Sequence, residues 1–174
     1  MKQIIIFLLA LACATTVQAQ VIDLSGPWQC TLLDDAEGKP LPADKLVTTT
    51  VRLPGTTDTN GLGYAPADTT ETTHLTRLHA YRGRARYERD IAIPRGWTLR
   101  GAFRQLFLER TKTTEIFIDG QRVGGSNDIS TPQRFSLPLT KAGRHRLTIV
   151  VDNAHGQPAQ VYAGSHAMTE DTQT

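Results

Sequence analysis

Cysteine is almost missing from this sequence: Cys13 and Cys30 are the only two in 174 residues. Cys13 falls inside an apolar leader, so only Cys30 remains once that leader is removed, and no internal disulfide can form. Cys30 alternates with Trp28 and Leu32 and has no histidine beside it. It reads as a buried small hydrophobe rather than a nucleophile. Aromatic residues are also few, at 6%. Neither sign of charge dominates: the formal net charge is +2, and +1 once Lys2 leaves with the leader. That balance argues against a general nucleic-acid binder. The five histidines are scattered without metal-ligand spacing. Beyond the leader there is no long hydrophobic run, and no segment carries a sustained helical stripe.

What is present begins with that leader, residues 1–19. Lys2 supplies a positive start, the run from Ile4 to Ala12 is apolar, and Val17-Gln18-Ala19 fits a small-x-small cleavage site ahead of Gln20. The run is too short to span a bilayer, so no membrane anchor is expected after cleavage. Leu11 sits one place too late for a good lipobox before Cys13, which favours a cleaved, periplasmic or secreted protein over a lipoprotein. Residues 20–174 suit one domain.

The apolar period in that domain is two. Ala85, Tyr87, Arg89, Ile91 and Ile93 share one face of a strand, while Arg84, Arg86, Glu88 and Asp90 share the other. Leu147, Ile149 and Val151 alternate in the same way. Asp119-Gly120, between Ile118 and Gln121, is the signature of a two-residue hairpin, because a type I′ turn needs positive φ at both central residues. Leu53-Pro54, Ile93-Pro94 and Leu137-Pro138 end strands, and Lys141-Ala142-Gly143 makes a further turn. About seven short strands at this spacing predict an all-β sandwich, jelly-roll-like. Residues 54–80 break the pattern, being rich in Thr, Gly, Asp and Pro. A loop of that length is usually functional or disordered.

Several familiar sites fail on inspection. The stretch Gly55 to Gly61 lacks the glycine spacing and the Lys-Ser/Thr of a phosphate loop. Asp58-Thr59-Asn60-Gly61 starts like a calcium loop, but Leu62 occupies the next ligand position. Nine arginines fall between Arg77 and Arg110. They read as a solvated strand face paired with Glu88, Asp90 and Glu109 rather than as a basic groove. Two polar loops remain, Thr56 to Gly63 and Gly124 to Pro132. Their short amides and carboxylates suit sugar hydroxyls, although Asn, Asp and Gly dominate turns in any case.

An ordered set of strings adds to this. Ile22-Asp23-Leu24-Ser25-Gly26-Pro27-Trp28, Leu53-Pro54-Gly55-Thr56-Thr57-Asp58, Tyr87-Glu88-Arg89, Ile91-Ala92-Ile93-Pro94, Phe107-Leu108-Glu109-Arg110, Ile118-Asp119-Gly120-Gln121-Arg122-Val123-Gly124, Ser126-Asn127-Asp128 and Val150-Val151-Asp152-Asn153 follow one another along the chain. No single string is specific. In this order they resemble the N-terminal sugar-binding domain of family 2 glycoside hydrolases, which include β-galactosidases, β-glucuronidases and β-mannosidases.

The resemblance implies a galactose-binding-domain-like jelly roll that packs on an immunoglobulin-like domain and a (β/α)₈ barrel. The catalytic glutamates belong to the barrel, which takes roughly 250 residues. This chain is therefore expected to be non-catalytic by itself, with a terminal β-glycoside as its partner and no cofactor. The resemblance also implies sugar contacts at Asn60 and Asp128, a sodium ion beside Asp128 in some members, and a last strand that this sequence does not supply. Two alternatives stay open: a stand-alone exported carbohydrate-binding module, and a structural sandwich for protein contacts. The first needs an aromatic platform or groove, with Trp28, Trp97, Tyr64 and Tyr81 as candidates. Of these, Trp28 alternates with core positions and is expected to be buried.

Overall fold

The computed structural model describes residues 20–66, 77–99 and 101–155. The leader with its cleavage site and Cys13, part of the 54–80 loop, Arg100, and the chain end where a last strand is expected lie outside them. Eight strands form: β1 (Gly26–Leu32), β2 (Thr48–Leu53), β3 (Arg84–Ile93), β4 (Gln105–Leu108), β5 (Thr113–Ile118), β6 (Gln121–Ser126), β7 (Gln133–Ser136) and β8 (Gly143–Asp152). Apart from short 3-10 turns, no helix occurs among the described residues, and none is long and apolar enough to cross a membrane.

Six strands make one antiparallel sheet in the order β2-β1-β3-β8-β5-β6, and β4 pairs with β7 in a second. The all-β sandwich expected from the period of two is therefore present. β3 and β8 pair over their full lengths, from Arg84 opposite Asp152 to Ile93 opposite Gly143. Their alternation buries Ala85, Ile91, Ile93, Leu147 and Ile149 on one face and leaves charged residues on the other. Leu106, Phe135, Leu137 and Leu139 close the core from the side of the small sheet. Ile116 and Leu147 are fully buried at its centre, where truncation to Ala costs about 2–5 kcal/mol.

Local signals act as expected. Asp119 and Gly120 have φ of 50° and 80°, and Ile118 pairs directly with Gln121. This is the two-residue turn that Asp-Gly predicts. Cys30 is 1% exposed, and burial pushes its thiol up to about 11, as fits a core position. The described parts of the 54–80 loop are tied to each other. A 3-10 turn spans Asp58–Asn60, Tyr64 bridges Ala80, and the His79 N–H donates to Asp58 Oδ1 at 2.8 Å.

Candidate functional site

The polar loop from Ser126 to Thr131 leaves the end of β6 at one corner of the six-stranded sheet. Its geometry is set by Asp128. Oδ1 accepts from Ser130 N at 2.8 Å, Ser130 Oγ at 3.1 Å and Thr131 N at 3.2 Å, and Oδ2 accepts from Thr131 Oγ1 at 2.6 Å. The Thr131 hydroxyl and the Ser130 and Thr131 backbone donors hold this exposed carboxyl down at about 2. The loop is rooted by Gln133, which is 4% exposed. Its Nε2 donates to Asp128 O at 2.8 Å and to Lys112 O at 2.9 Å, and its Oε1 accepts from Thr114 Oγ1. One buried amide thus satisfies its donors and an acceptor by gripping the loop from below.

Beside this loop the outer face of the sheet carries a depression of about 380 Å³. Gly125, Ser126 and Asn127 rim it, with Glu115, Arg122, Asp152 and Arg84 around the walls and Thr113, Thr114 and Val150 beneath. Gly125 is crowded at its rim. A Cβ there would stand 2.8 Å from Arg122 Nη2 and 2.9 Å from Thr114 O, so the position must lack a side chain. Arg122 Nε donates to Glu115 Oε1 at 3.0 Å.

Arg84 is committed on its other side. Its Nη2 and Nε donate to Asp34 Oδ1 and Oδ2 at 2.6 and 3.1 Å, and its backbone N–H donates to Oδ2 at 2.6 Å. Asp34 is fully buried. Burial alone would raise its pKa, but the Arg84 donors outweigh that and hold it below the usual carboxylate range. The Tyr81 hydroxyl accepts from Leu33 N and Asp34 N and donates to Arg84 O. Asn153 clamps the same corner, accepting from Gly83 N at 2.7 Å and donating to Tyr81 O at 2.9 Å. A Cβ at Gly83 would collide with Asp34 at 2.8 Å.

Asn60 lies elsewhere. Its amide is committed to Arg52 and Thr56 backbone groups beside β2, the opposite edge of the sheet from β6. Arg52 pairs with Pro27 at one end of β1. Ser126 instead registers, through Thr114, Val151 and Ala85, with Leu32 at the other end. Six strands at about 4.8 Å spacing separate the edges by about 24 Å. The structure therefore does not bring Asn60 and Asp128 together.

The four aromatic candidates form no platform. Trp28 and Tyr81 are buried. Trp97 and Tyr64 are half-buried against the core, with Trp97 Nε1 donating to Gln20 Oε1 and the Tyr64 hydroxyl to Asp34 O. Of the arginines between Arg77 and Arg110, Arg86 pairs with Glu88 as expected, whereas Arg84 is taken by Asp34 and Asp90 is taken by Arg144 and Arg146 of β8. Arg89 donates instead to the Leu24 and Ser25 carbonyls and lies over the Trp28 ring. No cluster of three His, Cys, Asp or Glu residues fit for a metal occurs among the described residues. Asp128 Oδ1 accepts three hydrogen bonds and Oδ2 one, so Oδ2 keeps acceptor capacity for a further partner. Sequence reasoning missed Asp34, Gln133 and, as a clamp, Asn153. Only the Val-Val-Asp-Asn string pointed to the last of these.

No family model matches the sequence, and no curated protein matches it. Solved structures do. The β-glucuronidase of Ruminococcus gnavus matches 79% of this chain with 22% of its own, at a TM-score of 0.54 and 14% identity. A β-glucuronidase of an uncultured Clostridium sp. matches 77% with 22%, at 0.52 and 20%. A GH2 β-galacturonidase of Eisenbergiella tayi, bound to galacturonate, matches 78% with 19%, at 0.50 and 21%. The chain spans about a fifth of the length of these proteins. The likeness is one of fold: in each, a sandwich of this architecture forms part of a longer glycosidase, as the ordered strings imply.

Proposed function

We propose that this chain is the N-terminal, sugar-facing sandwich of an exported β-glycoside hydrolase, and that it is non-catalytic by itself. The observation that carries the reading is the shared fold with a fifth of the uronidase chains. The rigid Asp128 loop at one corner of the sheet supports it. A retaining glycosidase needs two carboxylates about 5 Å apart. Here Glu88 and Glu115 are each held by an arginine, and Glu109 is exposed on its own strand end. The acid/base and nucleophile are therefore assigned to a barrel elsewhere in the polypeptide, and this domain to one wall of the sugar site, presenting Asp128. Asn60 serves the fold by closing the β2 edge. The apolar leader in the sequence supports a periplasmic or secreted location.

Three measurements test this. The protein should release no nitrophenol from aryl β-glycosides, and saccharides should shift NMR resonances of the Asp128–Thr131 loop. The DNA following the Thr174 codon should encode immunoglobulin-like and barrel sequences. Turnover by this chain would overturn the non-catalytic reading. An intergenic gap, together with tight saccharide binding, would make it a stand-alone carbohydrate-binding module instead.

A further inference from the structure

β2 ends the six-stranded sheet, and among the described residues it pairs with β1 alone. The register fixes which of its main-chain groups look outward. Arg52 lies opposite Pro27, which has no N–H to give. The Arg52 N–H and C=O are taken instead by the Asn60 carboxamide. Alternation along the strand then directs the N–H and C=O of Thr50 and Thr48 away from β1 as well. The side chains agree. Gln29 Nε2 meets Thr50 Oγ1 at 3.0 Å and Thr31 Oγ1 meets Thr48 Oγ1 at 2.8 Å, the close approach of pairs that exchange no main-chain bonds. Asn60 thus fills one rung of a ladder whose next rungs are open.

Sheet edges are ordinarily guarded by charge, proline or a bulge. The opposite edge has such guards: β6 carries Arg122, and its register with β5 shifts between Ile116 and Phe117. From Leu46 to Val51 the β2 edge has none. Leu-Val-Thr-Thr-Thr-Val holds no charge, proline or glycine, a composition that favours pairing between chains. Its register with β1 runs without a shift. Thr48, Thr49 and Thr50 are exposed, and Val47 is 72% exposed.

We propose that a second copy of this chain docks on this edge, β2 against β2, antiparallel about a twofold axis at Thr49. Such an edge is complementary to itself. Thr48 of each copy exchanges main-chain hydrogen bonds with Thr50 of the other, about four in all, and the two Thr49 residues meet across the axis. Val47 comes opposite Val51 of the other copy, an apolar pair at each end. The two Arg52 residues stay about 20 Å apart along the strands, beyond the screening length at physiological salt. Asn60 stops the ladder at Arg52 on both sides. A pairing this short forms and dissociates with concentration.

The test is sedimentation velocity over a concentration series of the protein, with amide hydrogen exchange followed by NMR on the same samples. The sedimentation coefficient should rise with concentration from monomer toward dimer. The Thr48 and Thr50 amides should exchange rapidly in dilute samples and slow as the dimer forms. Thr49 and Val51, which face β1, should stay slow throughout. Thr50→Pro removes an outward donor and no rung of the β1 ladder, and an edge strand tolerates proline there. Two intermolecular hydrogen bonds go by symmetry, so the dimer should weaken about tenfold. Thr49→Lys sets two ammonium groups across the axis; it should also weaken the dimer, and added salt should restore part of the loss. Both variants should keep the circular dichroism of the parent. A protein that stays monomeric with fast Thr48 and Thr50 amides overturns the proposal. So does a monomer in which those amides are slow even when dilute, because another segment of the same chain then covers the edge. A dimer that neither substitution weakens places the contact elsewhere and overturns it too.

Discussion

The carboxamide of Asn60 pairs with the main chain of Arg52 as a neighbouring strand would. Its Oδ1 accepts from Arg52 N at 2.7 Å, and its Nδ2 donates to Arg52 O at 3.2 Å and to Thr56 O at 2.8 Å. Because β2 is an edge strand, these groups would otherwise face water or another chain's strand. Asn60→Asp keeps the shape and removes both donors, setting a carboxylate against two carbonyls. The expected loss is about 1–3 kcal/mol, seen as a lower thermal midpoint, with greater tendency to self-associate. An unchanged midpoint would show that the amide does not hold the edge.

Asp34 and Arg84 make the most deeply buried ion pair described, with the carboxylate fully buried and the guanidinium 39% exposed. Asp34→Asn should lose the charge and leave Arg84 poorly matched. Breaking a buried pair costs about 3–5 kcal/mol, and Arg84's exposure argues for the low end of that range. Because the folded pKa of Asp34 is depressed, its contribution is complete above the unfolded value near 3.9 and is lost as pH falls through the folded one. Urea titrations of both proteins at pH 7 and pH 3 should show a difference at pH 7 that shrinks at pH 3. Equal stability at both would remove Asp34 from the account.

The fold was legible because its signals are local. Alternation in β3 and β8 and the Asp119-Gly120 turn depend only on side-chain period and φ. The candidate site was legible only in its loop. Asp128 could be marked as a short polar residue among glycines, but its donors, its anchor Gln133 and the gap at Gly125 are set by tertiary approach. Asn60 looked the same as Asp128 in sequence, because turn chemistry and ligand chemistry use the same residue types. Only strand order places them at opposite corners. Asp34 gave no signal at all, since the Asp34-Asp35 pair after a strand reads as solvated.

The Asp128 carboxyl should titrate at about 2 by carbon-detected NMR, well below an ordinary aspartate, because Thr131 and Ser130 hydrogen bonds favour the charged form. Its support of the loop is present above the ordinary value near 3.9 and fades as pH falls through about 2. Thr131→Ala should move the titration upward. A pKa that stays put would mean that the Thr131 hydroxyl does not hold the loop.

Cys30 should be inert in the native protein. Burial pushes its thiol up to about 11, leaving almost no thiolate at neutral pH. A thiol reagent should modify it only at the rate of unfolding, and urea should accelerate the reaction. Rapid labelling of the folded protein would contradict the packed β1 face.

The last prediction concerns His145, which joins the β5–β6 hairpin to β8. Its Nδ1 lies 2.6 Å from Asp119 Oδ2 and its Nε2 lies 3.0 Å from Lys141 O. Both partners are acceptors, so both ring nitrogens must carry protons to satisfy them, and only the imidazolium does so. The hydrogen bond to Asp119 accordingly raises the His145 pKa. A raised folded value means that this strap contributes fully below the unfolded value near 6.5 and is lost as pH climbs through the folded one. Asp119 runs the other way. Donors from Arg146 N and His145 lower its pKa, so its contribution is complete above about 3.9 and is lost in acid. Both contributions are therefore complete together between about pH 4 and 6.5, and each fades beyond its own end of that window. Thermal midpoints should peak in that window and decline toward pH 8. Asp119→Asn keeps a residue that tolerates the positive φ of the turn and removes the charge, so it should flatten the decline on the alkaline side. The same decline in the variant would assign the pH dependence to other groups.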